Sequence, residues 1–271
     1  MPRTRVLHLA TAGPQDTAPL AAAIDAGTVR AADIVAIIGK TEGNGCVNDF
    51  TRGYASLALK LLLAERLALS PSEVERRVAI VMSGGTEGGL SPHLLVLARE
   101  ASDEALSTPR LAVGIAHTRS FLPEEIGRRS QMLETARGVS VAMQNAQIAD
   151  RADVHFVQIK CPLLTKERIA DAARRGAAVA TDDTYHSMAL SRGASALGVA
   201  VALGEVPADA IADGDICRDW ARYSAVASTS AGVELMRNEI VVLGNAAGWS
   251  GDCAIDHDVM EIGRASCRER V

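Results

Sequence analysis

Three kinds of side chain that can do chemistry recur in one order along the chain. Lys40, Arg52 and Ser83 are answered by Lys160, Arg192 and Ser230 at offsets of 120, 140 and 147 residues. A serine hydroxyl is a poor nucleophile until a base removes its proton, and no Ser/His/Asp order is evident. Neutral lysine can take that role. Its pKa must then fall from about 10.4 towards roughly 7–8, and desolvation and neighbouring guanidinium charges both push that way. Arg52 and Arg192 would supply those charges while binding carbonyl or imidate oxygens of an electron-poor substrate. Ser83 opens the glycine-rich run Ser83-Gly84-Gly85-Thr86-Glu87-Gly88-Gly89. There the backbone can approach a ligand closely, and its N–H groups can cradle an oxyanion.

The elements that must position these residues also come in pairs. Val6–Ala12 reads as an opening strand, Thr17–Ala26 as a short helix, and Ala32–Ile38 as a strand running to Lys40. Thr51–Leu69 is an amphipathic helix carrying Arg52, a capped turn covers Ser70–Arg77, and Val78–Met82 is a buried strand ending at Ser83. Leu111–Thr118 then resembles the opening strand. Ala152–Lys160 matches Ala32–Lys40, Arg192–Leu197 matches Arg52–Leu57, and Ser224–Glu234 answers Val78–Glu87 with Ser230 in place of Ser83. Glu239–Gly244 is expected to open a third copy. Any one of these lysines or arginines could simply be a solvated strand end or helix start. Recurrence in register favours a single site built between repeats.

Composition narrows the partners. The chain has 271 residues, 48% hydrophobic, with net charge −5, enough for one large or two medium domains. The acidic balance argues against nucleic acid, and aromatic residues at 3% provide few stacking platforms. No apolar run is long enough to span a membrane, and the protein is expected to be cytoplasmic. The five cysteines are far apart with no CxxC pair, as expected of reduced thiols. Gly39-Lys40-Thr41 lacks the upstream glycine of a phosphate-binding loop, where Ile34 stands instead. Asp182, Asp183 and His186, or Asp256-His257-Asp258, offer metal-ligand side chains without a third group at matching spacing. No metal is therefore expected in this chain.

At Gly39–Arg52 (GKTEGNGCVNDFTR) and Val81–His93 (VMSGGTEGGLSPH) the sequence resembles the cyanuric acid hydrolase/barbiturase family. Phe156–Thr165 and Ser191–Ala200 extend the resemblance through the second repeat. It implies an α/β fold of α+β repeats: homologous units around a pseudo-threefold axis, each a four-stranded sheet with helices on one face. It also implies an active site at that axis, binding a small cyclic imide. Each unit would contribute a Ser–Lys pair and an arginine, with Ser230 as nucleophile, Lys160 as its base, and Ser83 and Lys40 as the auxiliary pair. Arg52 and Arg192 would bind substrate together with Ser83 and Ser230, and the backbone N–H groups of Gly84 and Ala231 would hold ring carbonyl oxygens. The implied reaction opens the ring of cyanuric acid, giving carboxybiuret and then biuret plus CO2, with barbiturate as the alternative ring. The resemblance further implies catalysis without a cofactor, a structural divalent metal, Mg2+ or Ca2+, in a third unit, and a homotetrameric assembly. A reading from another class is a non-catalytic module that binds small anions at the Gly84 and Ala231 amides.

The expected organisation is a first unit at 1–104, a second at 105–238, and the start of a truncated third at 239–260. Residues 261–271 read like a translated sequencing adapter and are expected to be foreign. The chain as it stands is accordingly expected to be inactive.

Overall fold

A computed structural model describes residues 1–85, 91–104 and 108–258. The first unit holds strands β1 (Pro2–Ala10), β2 (Ile34–Lys40), β3 (Ala79–Ser83) and β4 (His93–Ala101), with helices α1 (Ala18–Asp25), α2 (Thr51–Leu67) and α3 (Pro71–Arg77). The second holds β5 (Arg110–His117), β6 (Val154–Pro162), β7 (Ala227–Gly232) and β8 (Glu239–Ala246), with α4 (Arg129–Ala146), α5 (Lys166–Arg174) and α6 (Thr184–Leu203). Each forms a four-stranded sheet of the same order, β1-β4-β2-β3 and β5-β8-β6-β7. The β2–β3 and β6–β7 pairs are parallel, and the remaining pairs are antiparallel.

This order corrects one expectation. Glu239–Gly244 does not open a third unit: β8 lies between β5 and β6, pairing Glu239 with both His117 and Lys160. Its counterpart is β4, where His93 pairs with Lys40. The second unit thus runs through Ala246, past the boundary expected at residue 238. The expected tail, 261–271, lies outside the described residues.

Side-chain alternation along the strands separates two cores. In β3, Ile80 and Met82 face α2 and α3, packing with Leu59, Leu63 and Val74. Ala79 and Val81, with Ala36 of β2 and Leu97 of β4, face the other way and join a cluster that includes Val113 of β5 and Val241 of β8 on the second sheet, while Lys160 and Glu239 of that sheet reach the Met82 carbonyl and the Ile80 N–H. The two sheets therefore meet face to face, with helices outside. α2 buries Ala55, Leu59 and Leu63 at four-residue spacing, as an amphipathic helix must. α3 starts with a capping box between Ser70 and Glu73, with Pro71 in its first turn. α4 and α6 are tied by a buried polar network. Gln131 donates to Ser191 and Ser195, and Asn238 donates to Thr135 and Ser195. No helix among the described residues is long and apolar enough to cross a membrane.

Candidate active site

Parallel pairing brings each lysine opposite its serine. Lys40 is in register with Ser83 at the very ends of β2 and β3, and Lys160 is in register with Ser230 two residues before β6 and β7 end. The two pairs sit in different surroundings. Lys40 is partly buried, and its Nζ donates to the carbonyl of Gly84 at 3.2 Å. The Lys160 side chain is only 1% exposed, and its Nζ lies 3.3 Å from Ser230 Oγ.

Lys160 is held from three sides. Its ammonium group donates to the carbonyl of Met82, the residue before Ser83 on the opposing sheet. It also forms an ion pair with Glu234 Oε1 at 3.0 Å. Burial pushes the Lys160 pKa down. The Glu234 carboxylate opposes this, and the nearby Arg52 guanidinium adds to it, leaving the net direction downward. A lysine in this position has a destination for a proton taken from Ser230 Oγ: the resulting ammonium finds Glu234 and the Met82 carbonyl already in place.

Arg52 crosses between units. It begins on α2 of the first unit, is 1% exposed, and donates to the carbonyl of Ala231, next to Ser230, at 2.6 Å. A second bond at 2.6 Å reaches the carbonyl of Cys46. Asp49, also buried, stands 3.5 Å from Arg52 Nε and accepts from the Gly45 and Thr51 N–H groups. A Cβ at Gly43 or Gly84 would fall 1.9 Å or 1.8 Å from the Asp49 carboxylate oxygens. The glycines around Ser83 thus admit a carboxylate that fixes the 43–49 loop and aims Arg52.

Lys40, Arg52, Ser83, Lys160 and Ser230 fall at one seam. Arg192 does not share it: it is exposed on α6, with its Nε donating to its own helix at Met188 O, 3.2 Å away. Arg52 is buried because the second sheet stands against its helix start, and no described part of the chain stands in that relation to α6. Ala231 lies inside β7, buried and in register with Cys161, with its carbonyl taken by Arg52. Gly84 presents its carbonyl to Lys40.

Two groups had no role in the sequence reading. Asp49 could have been suspected from its place three residues before Arg52. Glu234 repeats Glu87 at the same distance from its serine, which is a visible signal, although Glu87 lies outside the described residues. Arg168 of α5 secures the loop bearing Glu234 by donating to the carbonyls of Leu163, Val233 and Leu235.

The chain resembles known proteins along nearly its whole length. It is 58% identical over 263 residues to a cyanuric acid amidohydrolase of Ectopseudomonas oleovorans, covering 96% of this chain and 72% of that protein. It is 57% identical over 258 residues to one of Bradyrhizobium diazoefficiens, covering 94% and 70%. A solved cyanuric acid hydrolase, described as an evolutionary innovation by structural concatenation, superimposes with a TM-score of 0.93 at 51% identity, covering 95% of this chain and 71% of that one. The crystal structure of the cyanuric acid hydrolase from A. caulinodans gives 0.89 at 53% identity, covering 94% and 71%. The profile of the ring-opening amidohydrolases matches residues 5–263. With that match, and with two sheets of identical order each presenting a lysine opposite a serine, the chain belongs to the ring-opening amidohydrolase family.

Proposed function

We propose that this protein opens the ring of cyanuric acid, with Ser230 as nucleophile and Lys160 as base. The observation that carries the reading is the buried Lys160 Nζ, 3.3 Å from Ser230 Oγ. Ser230 Oγ attacks a ring carbonyl carbon as its proton passes to Lys160 Nζ. The C–N bond breaks, the ring nitrogen takes up a proton, and an acyl-enzyme ester remains. Water then hydrolyses that ester, regenerating Ser230 and releasing carboxybiuret, which loses CO2 to give biuret. Arg52 supports the reading from behind, fixing the backbone at Ala231 beside the nucleophile. Lys40 and Ser83 are the auxiliary pair, contacting other edges of the ring. A barbiturate ring, with CH2 in place of one N–H, is the competing substrate, and the cytoplasm is the proposed compartment.

The test is loss of cyanuric acid and formation of biuret, with barbiturate in parallel, by the purified protein and by a version of it joined to a family-like third unit. Lys160→Ala and Ser230→Ala should each abolish turnover. Lys160→Arg should fail as well, because a guanidinium cannot act as base in the working range. Near-normal kcat in Lys160→Ala would remove Lys160 from its role. Retained ring binding with no turnover in the version joined to a third unit would favour the binding-module reading.

A further inference from the structure

The sequence leaves Asp256-His257 without a third metal ligand, and the fold brings one from 102 residues away. His155 Nδ1 lies 2.9 Å from His257 Nδ1 and 3.5 Å from Asp256 Oδ1. One potential ligand atom from each of the three residues falls within 4.8 Å of the others. We propose that His155, Asp256 and His257 form a binding site for a divalent transition-metal ion of the zinc class.

The donor set and spacing fit that class. Imidazole nitrogens with a single carboxylate suit zinc, nickel or cobalt, whereas Mg2+ and Ca2+ take mostly oxygen ligands. A tetrahedral ion with bonds of about 2.0 Å needs its ligand atoms about 3.3 Å apart. The observed 2.9 and 3.5 Å bracket that separation, so changes of a few tenths of an ångström admit an ion. Without an ion, two Nδ1 atoms face each other and can share only one proton. With three protein ligands, the fourth position is left to water.

The fold aims His155, and it fixes the strap on which the exposed Asp256 and His257 stand. His155 occupies a β-bulge, where the pairing of β6 with β8 skips between Val154 and Phe156, and a bulge re-aims the extra side chain. The first unit has the same bulge between Ile34 and Ala36, with Val35 at the corresponding position. Valine there packs against the core; histidine instead faces the strap formed by residues 253–257. That strap is fixed just before its ligands. Asn245 of β8 donates to the Ile255 carbonyl at 2.7 Å and accepts from the Ile255 N–H at 2.9 Å. The Leu111 N–H bonds the Cys253 carbonyl at 2.9 Å. His155 precedes Lys160 by five residues, about 16 Å along the strand. The ion would therefore pin the strap to the sheet without touching Ser230.

The experiment uses the full chain carrying Cys253→Ser and Cys267→Ser, stripped with EDTA and titrated with CoCl2. Expected are saturation at one equivalent, a visible d–d band of tetrahedral Co2+, and a higher Tm with added ZnCl2. His155→Val, a residue the first unit already carries at this bulge, should keep the far-UV spectrum and weaken binding by about tenfold or more. His257→Ala should do the same. Absence of a saturable equivalent, or binding in both histidine variants as tight as in the parent, would overturn the site.

Discussion

Replacing Glu239 by glutamine should make the protein more stable at pH 8 and leave it nearly unchanged near pH 4.5. Glu239 is 3% exposed at the meeting of the two sheets, and its Oε2 accepts the Ile80 N–H at 2.8 Å. Burial pushes its pKa up to about 7 from an ordinary 4.5, against the pull of the Ile80 bond, Arg237 and Lys60. The folded protein keeps this proton up to about pH 7, whereas the unfolded chain releases it near 4.5. Stability is therefore highest below 4.5 and falls as the pH rises towards 7, by about 3 kcal/mol in all. Across the strand, His117 behaves in the opposite sense. It pairs in register with Glu239, and burial, with Arg237 and Lys60 adding, lowers its pKa from 6.5 to about 4. Its contribution is present above 6.5 and is lost as the pH falls through 4, again by about 3 kcal/mol. Between about 4.5 and 6.5 the two slopes offset each other, so the parent should look almost indifferent to pH there. The glutamine variant keeps an acceptor for Ile80 and removes one slope. Its stability should rise with pH across that window and exceed the parent's at pH 8 by up to about 3 kcal/mol, less what the amide loses against Arg237. Urea denaturation from pH 4 to 8.5, followed by fluorescence of the buried Trp249, measures this directly. A variant no more stable than the parent at pH 8, with a difference independent of pH, would refute the assignment of a buried, proton-holding glutamate.

Two further outcomes follow from the seam. Arg52→Ala strips donors from the carbonyls of Ala231 and Cys46 and leaves Asp49 buried without its cation, so it should cost about 3–5 kcal/mol in chemical denaturation. The Asp49→Asn/Arg52→Ala pair should lose less than the sum of the single changes, and strict additivity would argue against the pairing. Glu234→Gln removes the carboxylate that opposes desolvation of Lys160. The base should then lose its proton at lower pH, moving the acid limb of the kcat/KM profile downward; an upward movement would rule out Glu234 as the stabilising partner.

The chemistry was legible in the sequence where it coincided with punctuation. Lys40 and Ser83 stand at strand ends followed by turn residues or glycine, Lys160 and Ser230 stand two residues before a strand-ending proline and glycine, and the two lysine–serine pairs match in register. The insertion of β4 and β8 was not legible. An apolar run such as Glu239–Gly244 carries no mark of which neighbours it will have, and the same pattern serves an opening strand or a central one. Arg192 has the residue type and helix position of Arg52, yet its surroundings differ, because burial depends on what stands opposite and not on the local sequence. The Met82 carbonyl could not be read from side chains at all. His155 was hidden for a related reason: a bulge is a mismatch between two strands and has no signature in either alone.

The placement of β4 and β8 has a consequence for a chain emerging from the ribosome. In each sheet the strand synthesised last lies between the first and second, so β1 has no partner in its own sheet until β4 appears, roughly 90 residues later. At about 5–20 residues per second that wait is on the order of 4–20 s, and β5 waits longer still for β8. Until then only the parallel pair β2–β3, or β6–β7, can assemble, with an open edge where the central strand belongs. Each sheet thus closes in one late step, and a nascent chain paused before residue 239 carries a second unit whose first strand has nothing in its sheet to hold it.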